Sequence, residues 1–140
     1  MTEATADTIT RILNNYKTIA VVGLSPKSHR DSYEVAEYMQ RQGYRIVPVN
    51  PVAGVSEILG EKVYPSLIDA AKHEQIDLVD VFRNSPDVPP VVDEAIAIGA
   101  KAVWMQLGIE HPQAADKART AGLAVVQNKC LLIEHRRQVR

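Results

Sequence analysis

Five short apolar runs, at residues 18–22, 44–49, 77–82, 102–105 and 123–126, limit what this chain can fold into. The first is apolar without alternation, as in a strand buried on both faces, and the third also reads as buried. Helical spacing fills the gaps between runs. Val35, Tyr38 and Met39 mark a helix over 32–42, closed by Gly43. Val91, Val92, Ala95 and Ile98 mark another over 88–98 before Gly99, and 112–121 ends at Gly122. A weaker helix over 66–72 takes Ser66 as its cap, and a short basic helix follows Asn128-Lys129-Cys130. Ile9, Ile12, Leu13 and Tyr16 predict a leading helix, with Thr5 or Asp7 as cap.

Strands alternating with helices of this length require a parallel sheet with right-handed crossovers. The expected fold is α/β, a Rossmann-type three-layer domain with a five-stranded parallel sheet in the order 3-2-1-4-5. The order 2-1-3-4-5 is the alternative, and both put a cleft over strand 1. The 140 residues read as one domain, with a leading helix at about 7–16 and a core at about 17–135. Pro48 donates no N–H, so the second strand should end early or leave that position unpaired. Residues 51–64 read as a loop.

A formal net charge of −1 argues against a nucleic-acid partner held by bulk electrostatics. No apolar run approaches the roughly 20 residues needed to span a bilayer, so no membrane partner is expected. The segment Met1 to Asp7 lacks the apolar core of a signal peptide, and the single cysteine, Cys130, fits a reducing compartment. A cytoplasmic location is expected.

Chemistry concentrates where the first strand ends. Val22-Gly23-Leu24-Ser25-Pro26-Lys27-Ser28-His29-Arg30 leads into a helix, and a turn opening onto a helix N-terminus presents free N–H groups to an anion. Lys27, His29 and Arg30 add side chains to that cradle. The dinucleotide pattern is incomplete, since Gly23 is followed by Ser25 and Ser28 where glycines belong. The second strand ends in Asn50-Pro51 and not in an acid, which disfavours NAD; basic residues leave NADP less disfavoured. No Gly-Lys-Ser/Thr follows the strand, so the loop is not a P-loop.

Val22-Gly23-Leu24-Ser25-Pro26-Lys27 with Arg30-Asp31, then Gly43-Tyr44, Pro48-Val49-Asn50-Pro51, Val81-Phe82-Arg83 and Val103-Trp104-Met105-Gln106-Leu107-Gly108-Ile109, resembles the single-domain CoA-binding proteins. These are similar to the N-terminal nucleotide-binding domain of the succinyl-CoA synthetase α subunit, and the likeness runs from about Lys17 to His135. It implies coenzyme A, or acyl-CoA, held across the carboxyl ends of the strands. Carried over, Gly23, Leu24 and Ser25 meet the phosphates, and Lys27 and Arg30 supply charge. Asn50 and Pro51 flank the adenosine, Phe82 and Arg83 border the nucleotide, and Gln106 and Gly108 lie near the pantetheine arm. The synthetase has a second domain with a catalytic histidine that has no counterpart here, so its ligase activity is not transferred.

Remaining candidates read as structural. Cys130 and His135 are five apart on a helix and face one another poorly. His29, His73 and His111 show no metal-ligand spacing, so no metal is expected. Asp77 and Asp80 point to opposite faces of their strand, and Asp80 should pair with Arg83 or a loop N–H. Trp104 reads as core. The expected function is CoA or acyl-CoA binding without catalytic residues, as a carrier, sensor or partner of an acyl-CoA enzyme. A small NADP-linked or acyl-transfer enzyme is the alternative.

Overall fold

The computed structural model describes residues 4–139; the first three residues of the polar N-terminal segment, and Arg140, lie outside them. The chain runs α1 (Thr5–Asn15), β1 (Thr18–Val22), α2 (Asp31–Arg41), β2 (Arg45–Val49), then a small hairpin of β3 (Glu57–Ile58) and β4 (Glu61–Lys62). It continues through α3 (Leu67–Ala71), β5 (Leu78–Val81), a 3-10 turn (Ser85–Asp87), α4 (Val88–Ala97) and β6 (Ala102–Met105). It closes with α5 (Pro112–Thr120), β7 (Ala124–Val126) and α6 (Leu131–Gln138).

Each long strand has two faces to fill, which explains its unbroken apolarity. On β1, Ile19 and Val21 pack with α1, α2 and α6 around Ile12, Met39 and Leu131. Ala20 and Val22 pack on the other side with α3, α4 and α5 around Leu67, Val92 and Ala115. The result is the expected three-layer α/β architecture with a five-stranded parallel sheet. Trp104 is core, with 0% exposure, and its indole N–H donates to Lys129 O at 2.9 Å. Ser66 caps α3 as expected, its Oγ accepting from Asp69 N–H at 3.1 Å. The N-cap of α1 is Ala4, and neither Thr5 nor Asp7 fills that place. Docking holds this helix instead: Ile9, Ile12 and Leu13 are buried, worth about 1.5–3 kcal/mol each.

The strand order corrects the first expectation. The sheet runs β2-β1-β5-β6-β7, which is 2-1-3-4-5 among the five long strands and not 3-2-1-4-5. Pro48 supplies the reason. Arg45 N–H donates to Lys17 O and Val49 O accepts from Gly23 N–H, so odd-numbered residues of β2 bond to β1 and even-numbered ones face away. A third strand on that outer side would meet a missing donor at Pro48, and proline is confined to such edges. Residues 51–64 are more ordered than a loop. Beyond the hairpin, Tyr64 N–H donates to Pro48 O at 3.0 Å and Asn50 N–H to Tyr64 O at 2.9 Å, a bridge that covers the edge.

Candidate functional site

β1 runs into Gly23, where the backbone takes φ +91°. A Cβ there would stand 2.4 Å from the Phe82 carbonyl oxygen. Gly23 N–H donates to Val49 O at 2.8 Å, and Phe82 N–H to Val22 O at 2.9 Å. The exits of β1, β2 and β5 therefore converge at a residue that must lack a side chain.

From Gly23 the chain folds back before α2. Ser25 N–H donates to Ser32 Oγ at 3.0 Å, Lys27 N–H to Ser25 Oγ at 3.1 Å, and Arg30 N–H to Lys27 O at 3.1 Å. Asn50 ties this loop to the next exit: its Nδ2 donates to Leu24 O at 2.9 Å while its Oδ1 accepts from Val52 N–H at 2.9 Å. At the start of α2, Arg30 holds the N-cap position without a side-chain cap bond. First-turn amides and the positive end of the helix dipole are left for an outside acceptor.

A cleft of about 610 Å³ lies over these exits. Gly23, Ser25, Lys27 and Arg30 line it, as do Asn50, Phe82 and Arg83. Leu24 is buried beneath the loop, with 0% exposure, and Pro51 lines two neighbouring hollows. Gln106 and Gly108 lie outside the cleft lining, and Gln106 is 3% exposed. Sequence reasoning missed Val52, Ala53, Asn84 and Ile109, which also line the cleft. Each sits within three residues of an exit position already singled out, and that proximity was the available signal. Among the described residues, Lys27, Arg30 and Arg83 have no carboxylate partner, although Asp31 shares the lining. Arg45, away from the cleft, is instead held by Glu74 through two bonds of 2.8 Å.

Under the cleft, the central strand β5 carries Asp80, fully buried. It pairs with neither Arg83 nor a loop N–H. Gln106 Nε2 donates to its Oδ1 at 2.6 Å, Gln106 Oε1 accepts from Leu131 N–H at 3.4 Å, and Asp80 Oδ2 has no partner among the described residues. Burial pushes this carboxyl up to about 7, against a smaller opposing effect from the Gln106 bond.

Three histidines have structural work. His111 Nδ1 accepts from Ala114 N–H at 3.1 Å, His73 stacks on Tyr64, and His135 Nδ1 lies 2.9 Å from Tyr38 Oη. Burial, with Lys17 nearby, pulls His135 below its usual range. Cys130 is half-buried at the N-cap of α6. Among the described residues, no group of three or more His, Cys, Asp or Glu is placed to hold a metal ion. No described helix is long and apolar enough to cross a membrane.

Residues 17–136 match the family model described as CoA binding domain. The chain belongs to this family. It is 39% identical to the uncharacterized protein YneT of Bacillus subtilis (strain 168), over 91% of each chain. A hypothetical protein from Pyrococcus horikoshii OT3 has the same fold, with a TM-score of 0.89, 40% identity and all of both chains covered. The α subunit of acetate–CoA ligase [ADP-forming] I from Pyrococcus furiosus is 30% identical over 81% of this chain, which spans 27% of that subunit. These likenesses support the expected kinship with the CoA-binding domains of acyl-CoA ligase subunits.

Proposed function

We propose that the cleft binds coenzyme A, free or acylated, with its phosphates on the loop from Gly23 to Arg30. The chain would act as a carrier, sensor or partner of an acyl-CoA enzyme. The observation that carries this reading is the meeting of three cations, without a carboxylate partner among the described residues, with an open helix N-terminus over one cleft. Cations left without carboxylates favour an anionic ligand, and backbone N–H groups add charge-assisted hydrogen bonds. Family membership supports coenzyme A as that anion. Binding is favoured over catalysis because the Ser25 and Ser32 hydroxyl oxygens in the cleft both accept from backbone N–H groups, while Cys130 and His135 stand outside the lining.

Thermal unfolding tests this directly. Coenzyme A at 100 times its Kd should add about 2.7 kcal/mol of stability. Stabilisation by NADP alone, with coenzyme A inert, would overturn the proposal. Arg30→Ala should weaken coenzyme A more than dephospho-CoA if the guanidinium serves the 3′-phosphate, and both equally if it serves the diphosphate. Unchanged affinity for both ligands would remove Arg30 from the site.

A further inference from the structure

A second hollow, of about 240 Å³, lies beside the cleft against α3 and α4. Arg83 lines both spaces, and the chain passes from cleft to groove at Gly23–Val22 and again at Asn50–Pro51. The two linings differ in kind. Four prolines, Pro51, Pro65, Pro86 and Pro90, stand around the groove with Leu67 and Val91. Proline has no N–H and a fixed φ, so these walls offer no proline donor to strand and need little ordering when an apolar chain enters. Two of the groove's polar side chains are engaged, since Ser66 Oγ accepts from Asp69 N–H and Glu94 Oε1 from Ile68 N–H.

Charge also reverses across Arg83. The cleft carries Lys27 and Arg30 against Asp31, whereas the groove carries Asp87 and Glu94. A ligand suited to both spaces has an anionic half and an uncharged apolar half. We propose that the groove holds the acyl end of an acyl-CoA whose phosphates lie in the cleft, admitting short uncharged acyl groups and rejecting those ending in a carboxylate. This rests on the coenzyme A reading of the cleft.

Isothermal titration of the intact protein with coenzyme A, acetyl-CoA, butyryl-CoA and succinyl-CoA tests it. A fully buried methylene strengthens binding about fourfold, so butyryl-CoA, with two more methylenes, should bind about fifteenfold tighter than acetyl-CoA. Succinyl-CoA has the same chain length but ends in a carboxylate, and it should bind at least about tenfold more weakly than butyryl-CoA, by like-charge repulsion and desolvation. Asp87→Asn should narrow the gap between those two ligands and leave coenzyme A unchanged. Pro90→Trp, at an exposed position, should fill the groove and erase the dependence on chain length while coenzyme A still binds. Equal affinities for all acyl forms, or a preference for succinyl-CoA, would overturn the groove assignment and leave the cleft reading standing. Failure of coenzyme A itself to bind would sink both.

Discussion

Gly23→Ala should abolish the stabilisation given by coenzyme A and lower the melting temperature by on the order of 10 °C. Two separate costs combine. At φ +91° an L-residue is strained, at about 1–3 kcal/mol. The new methyl would also overlap the Phe82 carbonyl oxygen, 2.4 Å away, and backbone held by the Phe82 N–H bond to Val22 O cannot swing aside as a flexible side chain does. Overpacking of this sort costs a further 1–3 kcal/mol or so. The carbonyl belongs to the exit that carries Arg83, so relief of the clash spreads the very loops that line the cleft. Gly122→Ala separates the terms: φ is +94° there, but nothing lies within 4 Å of the added carbon. It should show the backbone cost alone and keep full ligand binding. A Gly23→Ala protein with wild-type melting and an intact ligand shift would refute the claim that this position shapes the site.

Asp80→Asn should stabilise the protein by roughly 2–4 kcal/mol at pH 8 and change it little at pH 4. In the folded chain the carboxyl holds its proton up to about 7, whereas an unfolded aspartate releases it near 3.8. Between those values the native state binds a proton that the unfolded state does not. Stability therefore falls as pH rises through this window and stays low above it. Asparagine keeps an oxygen for Gln106 Nε2 and carries no charge to bury. His135 works in the opposite direction. Its folded form favours the neutral ring beside Tyr38, so its contribution is present above the ordinary histidine range and is lost as pH falls through its lowered pKa. With Asp80 removed, urea titrations across pH 4–8 should expose that acid-side loss. A parallel pH dependence in wild type and Asp80→Asn would show that Asp80 does not titrate in this range.

The architecture was legible because its signals are local. Unbroken apolar strands, glycines after helices and Ser66 as a cap each report on a few neighbouring residues, and the structure matches them. Strand order depends on which neighbour lies across a gap. The deciding fact, that even-numbered residues of β2 face outward, needs the register as well as Pro48 itself. The cleft was visible in part for a similar reason. Gly23, Lys27 and Arg30 announce themselves in one loop, but Ile109 joins from β6 across the fold, and Gln106 turns inward to Asp80. An isolated aspartate in an apolar run signals a problem without naming the partner that answers it. The nearest cation in sequence, Arg83, was the natural guess, and it instead lines the cleft.

The proline at the sheet margin bears on how copies of this protein can meet. With one donor gone and Tyr64 zipped over its neighbours, that border gives an incoming extended peptide no ladder to climb. Two molecules cannot splice their sheets end to end there. Self-association through this side must be made by the outward surfaces of the hairpin and helices, which leaves the mouth above the strands open to ligand.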